Sequence, residues 1–551
     1  MEKFWFNQYQ QGVPHEINTS QYSSLVNLFE EACHKYANDI AYTNMNFNIS
    51  YAELDKYSLH FASYLQYLNL KKGTRIGIMM PNLIQYPIVF FAILRAGFIA
   101  VNMNPLYTCD EVVHQIKDSG TEVIIVLANF ANTIEKALQQ VPNLKHVVVT
   151  EIGDAFPFIK RNVVNKIVRY IKKIVPKFHI PQSIKYTKAM ICGSKNQFKP
   201  VELRHQDIAL LQYTGGTTGI AKGAMLTHEN MIANVLQASS WISPLSVGDK
   251  DIIITALPLY HIFSLTANCL TFLHFGAKNI LITNPRDIPN FIKEIKNSKF
   301  TAITGVNTLF NALLNNPKFS EVDFSKLKLA LSGGMALQKA VAVKWQSVTK
   351  TRVLEAYGLT ETSPAVTINP MYLPEYNGSI GLPLPSTDIS IRDNQGKELP
   401  IGEAGELCVK GPQVTKGYWQ RPEETQNIFW PDNFLRTGDI AKFDDQGYVY
   451  LVDRKKDMII ISGFNVYPNE VEQVISMIPG VLEVGVIGVN IDESGERVKA
   501  CIVKKDPSLN ADDIIKFSKE HLTAYKVPKI IEFYEELPKT SVGKILRRAL
   551  K

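Results

Sequence analysis

Apolar and polar positions alternate between two periods along the first part of the chain. From 51 to about 68, Leu54, Leu59, Phe61, Ala62 and Leu65 recur at the spacing of an amphipathic helix. The run Arg75-Ile-Gly-Ile-Met-Met, stopped by Pro81-Asn82, has the continuity of a buried strand. Residues 87–96 are apolar on most sides and predict a second helix, and Phe98-Ile-Ala-Val-Asn predicts the next strand. Short apolar runs at 121–127 and 146–150 add two more. This alternation implies a layered α/β domain with parallel pairing.

Further along, Ile208-Ala-Leu-Leu predicts a strand. Residues 252–277 contain no Asp, Glu, Lys or Arg, and their length would suit a membrane span. Pro258, His261, Asn268, His274 and several threonines would be costly in lipid, so a buried strand, a loop and a buried helix are expected instead. Residues 301–314 read as a strand, a turn at Gly305 and a helix, and Leu329-Ala-Leu-Ser-Gly-Gly as a strand ending in two glycines. The hydrophilic run Val452-Asp-Arg-Lys-Lys-Asp has a linker's composition. After Met458 the pattern changes to a small α+β unit: a strand at 459–462, a helix at 469–478, strands at 483–489 and 498–503, and a helix from 512.

Composition is globular, with 46% hydrophobic and 20% charged residues, and 551 residues exceed one ordinary core. Six scattered cysteines without a C-x-x-C pair argue against a disulfide framework or a zinc site and fit a reducing compartment. The start, Met-Glu-Lys-Phe-Trp-Phe, has no long apolar run of a secretory signal, so a cytoplasmic location is expected. The net charge of +7 is uneven: between Asp154 and Glu202 there is no acid, and eleven lysines and arginines give +11, leaving 7 − 11 = −4 elsewhere. In this segment apolar residues at 163, 164, 167, 168, 171, 174 and 175 form a helical stripe, with Lys166, Arg169, Lys172 and Lys173 on the other face. Two readings stand side by side: a basic amphipathic helix (160–177) on an anionic membrane surface, or a packed helix with a solvated polar face. The basicity is local, and no nucleic-acid partner is expected.

The densest chemistry lies in Tyr213-Thr-Gly-Gly-Thr-Thr-Gly-Ile-Ala-Lys-Gly, directly after a strand. Glycines let the backbone approach a ligand, successive N–H groups form an anion nest, Thr214, Thr217 and Thr218 add hydroxyls, and Lys222 adds a cation. These are the parts for holding a polyphosphate. A P-loop would require Gly-Lys-Ser/Thr, whereas Lys222 lies between Ala221 and Gly223. Glu361, in Glu355-Ala-Tyr-Gly-Leu-Thr-Glu-Thr, suits a Mg²⁺ held by one carboxylate plus phosphate oxygens. Asp439, in Phe434-Leu-Arg-Thr-Gly-Asp, suits a carboxylate accepting ribose hydroxyls. By itself His261, within Ala256-Leu-Pro-Leu-Tyr-His-Ile-Phe, reads more readily as a satisfied core histidine. Lys544, in Pro538-Lys-Thr-Ser-Val-Gly-Lys-Ile-Leu-Arg-Arg, reads as part of a basic tail.

Together these motifs closely resemble the adenylate-forming (AMP-binding) superfamily of acyl-CoA synthetases, luciferases and peptide-synthetase adenylation domains. The resemblance runs from Trp5 to the last ten residues and is nearest to the bacterial long-chain fatty-acid–CoA ligases. It implies an α/β fold: a large N-terminal adenylation domain (1–455) of several subdomains, with parallel sheets and a small distorted β-barrel, and a small mobile α+β lid (456–551) hinged near Lys456. It implies ATP, Mg²⁺ and coenzyme A as cofactor and co-substrates and a fatty acid as acyl substrate. The fatty carboxylate would attack the α-phosphate to give acyl-AMP and pyrophosphate, and the CoA thiolate would then capture the acyl group.

The same resemblance assigns roles. Tyr213, Thr214, Gly215, Gly216, Thr217, Thr218, Gly219 and Lys222 hold phosphates, and Thr218 joins Glu361 at the metal. Gly334 borders the acyl chain and adenine, Tyr357 packs on adenine with Gly358 beside it in the nucleotide site, and Thr360 contacts the α-phosphate. Asp439 takes the ribose, Arg454 contacts ribose and phosphate, Lys456 is the pivot, and Gly463, within Ser462-Gly463-Phe464, admits pantetheine. Lys544, Thr214, Glu361 and His261 form the catalytic set, and Phe310 gates the acyl tunnel. Where the long-chain branch usually shows Gly-Trp-Leu-His before Thr-Gly-Asp, this chain has Asn433-Phe434-Leu435-Arg436, which leaves packing and fine specificity open. Chain-length preference is not readable: each buried methylene is worth about 0.8 kcal/mol, but no motif marks tunnel depth. The alternatives are loading of a carrier protein (none follows Lys551), a ligase for medium-chain or aryl acids, a luciferase-like oxygenase, or a silent lipid carrier. Relatives are often homodimers. The resemblance and the basic segment together suggest peripheral association with the inner membrane face.

Overall fold

The computed structural model describes residues 3–214, 221–243, 250–461, 464–492, 495–540 and 543–550. Among these residues the strands form two large, mostly parallel sheets, a four-stranded antiparallel sheet and a smaller C-terminal unit. One sheet has seven strands in the order Ser183–Lys185, His146–Thr150, Val123–Leu127, Arg75–Met79, Ile99–Asn102, Ile208–Tyr213 and Gly223–Thr227. Only its last pair is antiparallel. The second sheet has nine strands; at its centre Ile252–Thr255, Ala302–Gly305, Leu329–Gly333 and Val353–Gly358 run parallel. Their near-continuous apolar runs follow from burial on both faces.

Helix Gln85–Arg95 is buried at every residue, as its lack of a polar face predicts. Helix Tyr51–Tyr67 begins with a capping box, Ser50 accepting from the Glu53 N–H while the Glu53 carboxylate accepts from the Ser50 N–H. The charge-free stretch 252–277 resolves as expected into a strand, a loop and short buried helical turns. Its Asn268 is satisfied by Thr304 Oγ1, which donates to Asn268 Oδ1 at 2.9 Å. No described helix is long and apolar enough to cross a membrane.

The place of the expected barrel is taken by an antiparallel sheet of Asp388–Arg392, Gly405–Lys410, Leu435–Phe443 and Val449–Arg454, bridged to the nine-stranded sheet at Gly381 and Val449. The C-terminal unit contains helix Pro468–Ile475, the strands Val481–Asp492, Gly495–Lys504 and Ile530–Tyr534, and helix Ala511–His521. It seats on the rest of the chain through Asn311 Nδ2, donating to Leu482 O at 2.9 Å, and Thr308 Oγ1, donating to Gly543 O at 2.8 Å.

The basic segment departs from expectation. The α-helix is Phe158–Lys166, followed by a π-turn, Ile167–Ile171, in which Lys172 N–H donates to Ile167 O at 2.8 Å. One extra residue in that turn shifts the angular register and splits the stripe. Val164, Val168 and Val175 pack inward, whereas Val163, Ile167, Ile171 and Ile174 face solvent with Phe158, Ile159 and Tyr170. Ile171 is 74% exposed and Ile159 78%. Arg169, expected on the polar face, turns inward to pair with Glu151, and Lys160 donates to Met45 O at 2.6 Å. Phe310 is also elsewhere than expected: it packs edge-on to Trp345 with centroids 4.7 Å apart and is fully buried in the core, not among the described residues lining the cleft.

Candidate functional site

Strands Ile208–Tyr213 and Gly223–Thr227 pair through Tyr213 and Gly223, and the Thr214 N–H donates to Lys222 O at 3.0 Å, closing the neck of the Gly/Thr-rich loop. Gly215, Gly216, Thr217, Thr218 and Gly219 lie outside the described residues, as does Gly463. The neck is braced from below: Tyr213 OH donates to Asp118 Oδ2 at 2.7 Å, and Arg421 Nη2 donates to the other oxygen of Asp118 at 2.6 Å. His114 Nε2 donates to Ala221 O at 3.0 Å. Tyr213 therefore spends its hydroxyl on support.

Across the cleft, Glu361 sits in the turn Thr360–Thr362. Its carbonyl accepts from the Thr415 N–H at 2.7 Å, and its Oε1 accepts from Tyr418 OH at 2.6 Å. The Lys222 ammonium lies 5.3 Å from the centre of the Tyr418 ring. Tyr418 thus stands between the Lys222 ammonium and the Glu361 carboxylate. Sequence reading passed over it; Gly417-Tyr418-Trp419, a glycine beside two aromatics, was the available signal. Glu361 Oε2 makes no hydrogen bond among the described residues, and no cluster of three or more His, Cys, Asp or Glu there could hold a metal. That donor set fits a magnesium ion arriving with a nucleotide, one protein carboxylate completing a shell of phosphate and water oxygens.

Gly358 joins Tyr357 to this turn. A Cβ there would lie 1.9 Å from Pro364 O, so only glycine fits. Tyr357 OH donates to Asp439 Oδ2 at 2.6 Å, and Arg454 Nε lies 3.3 Å from Asp439 Oδ1. Asp439 and Arg454 are direct partners on adjacent strands. Burial, with Asp439 adding to it, pushes the Tyr357 phenol well above its usual range, so it stays a donor.

Lys544 enters from the C-terminal unit. Its turn is closed by Thr540 N–H donating to Lys544 O at 2.7 Å and by Gly543 at φ +84°. The side chain lies against Gly334, which has φ +82° and whose absent Cβ would sit 3.0 Å from Lys544 Cε. Desolvation, with the Arg454 guanidinium adding to it, lowers the ammonium pKa to about 8. His261 lines the same cleft; its Nδ1 accepts from the Phe263 N–H at 3.3 Å. Desolvation and then the Lys544 charge bring its pKa to about 3, so at neutral pH the ring is uncharged and cannot supply a proton as imidazolium. The turn beside Gly334 is fixed by Glu355, another residue sequence reading missed: its Oε1 accepts from the Leu337 N–H at 3.0 Å, while Tyr376 OH donates to Leu337 O at 2.9 Å. Burial pushes the Glu355 carboxyl up to about 8.

All the described candidates, Tyr213, Thr214, Lys222, His261, Gly334, Tyr357, Gly358, Thr360, Glu361, Asp439, Arg454, Lys456 and Lys544, line one cleft of about 1960 Å³. Its apolar lining comes from Ala238, Ile242, Phe263, Phe272, Leu329 and Leu331. The groups expected to take phosphate, sugar and cation thus share a wall with an oily surface. Helix His228–Ile242 and strand Leu329–Gly333 supply most of that surface.

Two family descriptions match the chain: AMP-binding enzyme over residues 29–419, and AMP-binding enzyme C-terminal domain over residues 470–544. A long-chain-fatty-acid–CoA ligase of Escherichia coli O6:H1 is 52% identical over 100% of this chain and 98% of its own length. Among solved structures, an anthranilate CoA ligase in complex with anthranoyl-AMP superposes with a TM-score of 0.85 at 25% identity, covering 97% of this chain and 98% of its own. ATP-bound MatB from Rhodopseudomonas palustris does so with a TM-score of 0.79 at 28% identity, covering 95% and 98%.

Proposed function

The chain belongs to the AMP-binding enzyme family, and from that premise we infer how its cleft works. It joins a long-chain fatty acid to coenzyme A in an ATP- and magnesium-dependent reaction that passes through an acyl-adenylate and releases AMP and pyrophosphate. The product feeds fatty-acid metabolism.

The observation supporting the assignment of roles is the convergence of Lys222, Glu361, Asp439, Arg454 and Lys544 on one cleft with an apolar wall. Asp439, oriented by Tyr357 and Arg454, takes the ribose hydroxyls. Lys222 and Thr214 hold the outer phosphates, and Thr360 lies at the α-phosphate. Glu361 would hold magnesium, which when bound neutralises phosphate charge. Lys544 draws the fatty carboxylate and the α-phosphate together against their mutual repulsion and stabilises the charge that builds at phosphorus. His261, uncharged, shapes the carboxylate end of the acyl site. For the second half-reaction the unit from 456 onward rotates about Lys456, withdrawing Lys544 so that the CoA thiolate reaches the anhydride.

We place peripheral membrane docking on the outward face of residues 158–174. Phe158, Ile159, Val163, Tyr170 and Ile171 form an exposed apolar strip with no acid in the segment and with Lys166, Lys172 and Lys173 beside it. A strip of that kind inserts shallowly into a headgroup region while lysines meet anionic lipid. Ile159→Glu with Ile171→Glu should abolish sedimentation with phosphatidylglycerol vesicles; unchanged co-sedimentation excludes this surface.

The deciding test of the enzymatic reading is exchange of labelled pyrophosphate into ATP. It should require palmitate, and free CoA should then yield palmitoyl-CoA without a carrier protein. Exchange indifferent to palmitate would overturn it.

A further inference from the structure

Arg547 lies three residues beyond Lys544 and is enclosed by the C-terminal unit and by the strand that leads into the pivot. Its Nη1 is 3.4 Å from Asp453 Oδ1 and 3.4 Å from Asp457 Oδ2. Its Nη2 is 2.8 Å from Glu472 Oε2 and donates to Asn469 Oδ1 at 2.6 Å, and its Nε donates to Glu472 Oε1 at 3.1 Å. Asp457, Asn469 and Glu472 follow Lys456 in the chain and travel with Arg547. Asp453 does not: it belongs to strand Val449–Arg454, on the near side of the pivot.

Asp453 has 0% side-chain exposure. Its Oδ1 accepts from the Arg454 N–H at 2.7 Å and its Oδ2 from the Asn469 N–H at 2.8 Å. Two of its three partners, the Asn469 N–H and the Arg547 guanidinium, therefore come from across the pivot. A buried carboxylate is tolerated only when paired and hydrogen-bonded, so this charge is satisfied by the seated position of the C-terminal unit. Arg547 also directly follows the short hairpin that carries Lys544, closed by Leu546 N–H donating to Pro538 O at 2.8 Å and by the bridge between Lys539 and Ile545, and opens the turn Arg547–Ala549. Fixing Arg547 fixes the turn that aims Lys544.

We propose that Asp453 and Arg547 are positioning residues for adenylation: they form a carboxylate–guanidinium latch across the pivot that holds Lys544 in the cleft and must open before thioester formation. The proposal rests on the rotation described above. After rotation Arg547 keeps Asp457, Asn469 and Glu472, whereas Asp453 loses both cross-pivot partners and is exposed.

The test compares two half-reactions in Asp453→Asn and Arg547→Lys. Asparagine keeps the size and an acceptor oxygen but not the charge; lysine keeps the charge but not the planar fork. Palmitate-dependent pyrophosphate exchange should fall about tenfold in each, the scale of one charge-assisted hydrogen bond. Conversion of supplied palmitoyl-AMP with CoA should hold within about twofold or rise, since a missing latch frees the unit to rotate. Cleavage by trypsin at Lys455 or Lys456 should quicken in parallel. Either variant showing both half-reactions reduced equally, or neither changed, overturns the latch, provided Lys544→Ala still abolishes exchange and spares thioester formation. If Lys544→Ala fails to separate the halves, the rotation itself is wrong. Should Asp453→Asn not fold, Arg547→Lys carries the test alone.

Discussion

Gly334→Ala tests the cleft at its tightest point. The residue has φ +82°, where an L side chain costs about 1–2 kcal/mol. The added Cβ would stand 3.0 Å from Lys544 Cε and 3.5 Å from Lys544 Nζ. Three ångströms is too close for two carbons, and the next neighbour, Val306 Cγ1, is at 4.0 Å. The group that yields is therefore the flexible end of Lys544, to which the first half-reaction is assigned. Displacing a reacting group by about 1 Å costs on the order of a hundredfold. Gly334→Ala should thus lose about 1–2 kcal/mol of stability in urea unfolding while palmitate-dependent pyrophosphate exchange drops about a hundredfold. Thioester formation from supplied palmitoyl-AMP, with Lys544 withdrawn, should stay within about threefold. The discriminating result is exchange close to wild type in a variant that shows the expected urea shift. Lys544 would then not occupy the Gly334 side of the cleft during catalysis, and its assigned role would fall.

Three further outcomes follow from the same geometry. Lys544 must be charged to face a carboxylate and a phosphate, and its pKa of about 8 lies below that of an exposed lysine. The active form is lost as pH rises through about 8, so kcat/KM for adenylation should fall about tenfold per pH unit above it; a profile flat to pH 10 refutes the assignment. Asp439→Asn weakens two contacts, from Tyr357 and Arg454, and should raise KM for ATP roughly tenfold to a hundredfold, whereas unchanged ATP affinity by calorimetry would remove Asp439 from the ribose. Gly358→Ala places a methyl 1.9 Å from Pro364 O and should cost about 3 kcal/mol or more in chemical unfolding; a smaller loss would mean the turn carrying Glu361 is free to shift.

The alternation of apolar runs was enough to foresee the parallel sheets and the small C-terminal unit, because strands buried on both faces leave an unbroken signature. Lys222, Glu361 and Asp439 were legible because each sits in a short motif whose residue types state their chemistry, whereas Lys544 by itself reads as a basic tail and takes its role only from the family resemblance. What supports them was not. Asp118 and Arg421 stand 303 positions apart and Asp453 and Arg547 94 apart, and although the last two lie in the motif runs 452–457 and 538–548, nothing local marks either pairing. Local periodicity also misled at 163–175, where a π-turn inserts an extra residue and puts half of an apparently continuous stripe in water. Phe310 was assigned to a gate although the space beside Gly305, where a Cβ would lie 2.8 Å from its ring, already holds it in the core.

Asp439 and Arg454 face each other on neighbouring strands, and Lys456 comes two residues later in the chain. On the proposed rotation about Lys456, the groups assigned to the sugar sit almost on the axis, where displacement is smallest, while Lys544 belongs to the part that moves. An intermediate held at that still point need not be released and recaptured between the two halves of the reaction. That arrangement would curb loss of the reactive anhydride to hydrolysis, and a variant with a loosened strand pair should leak free fatty acid and AMP.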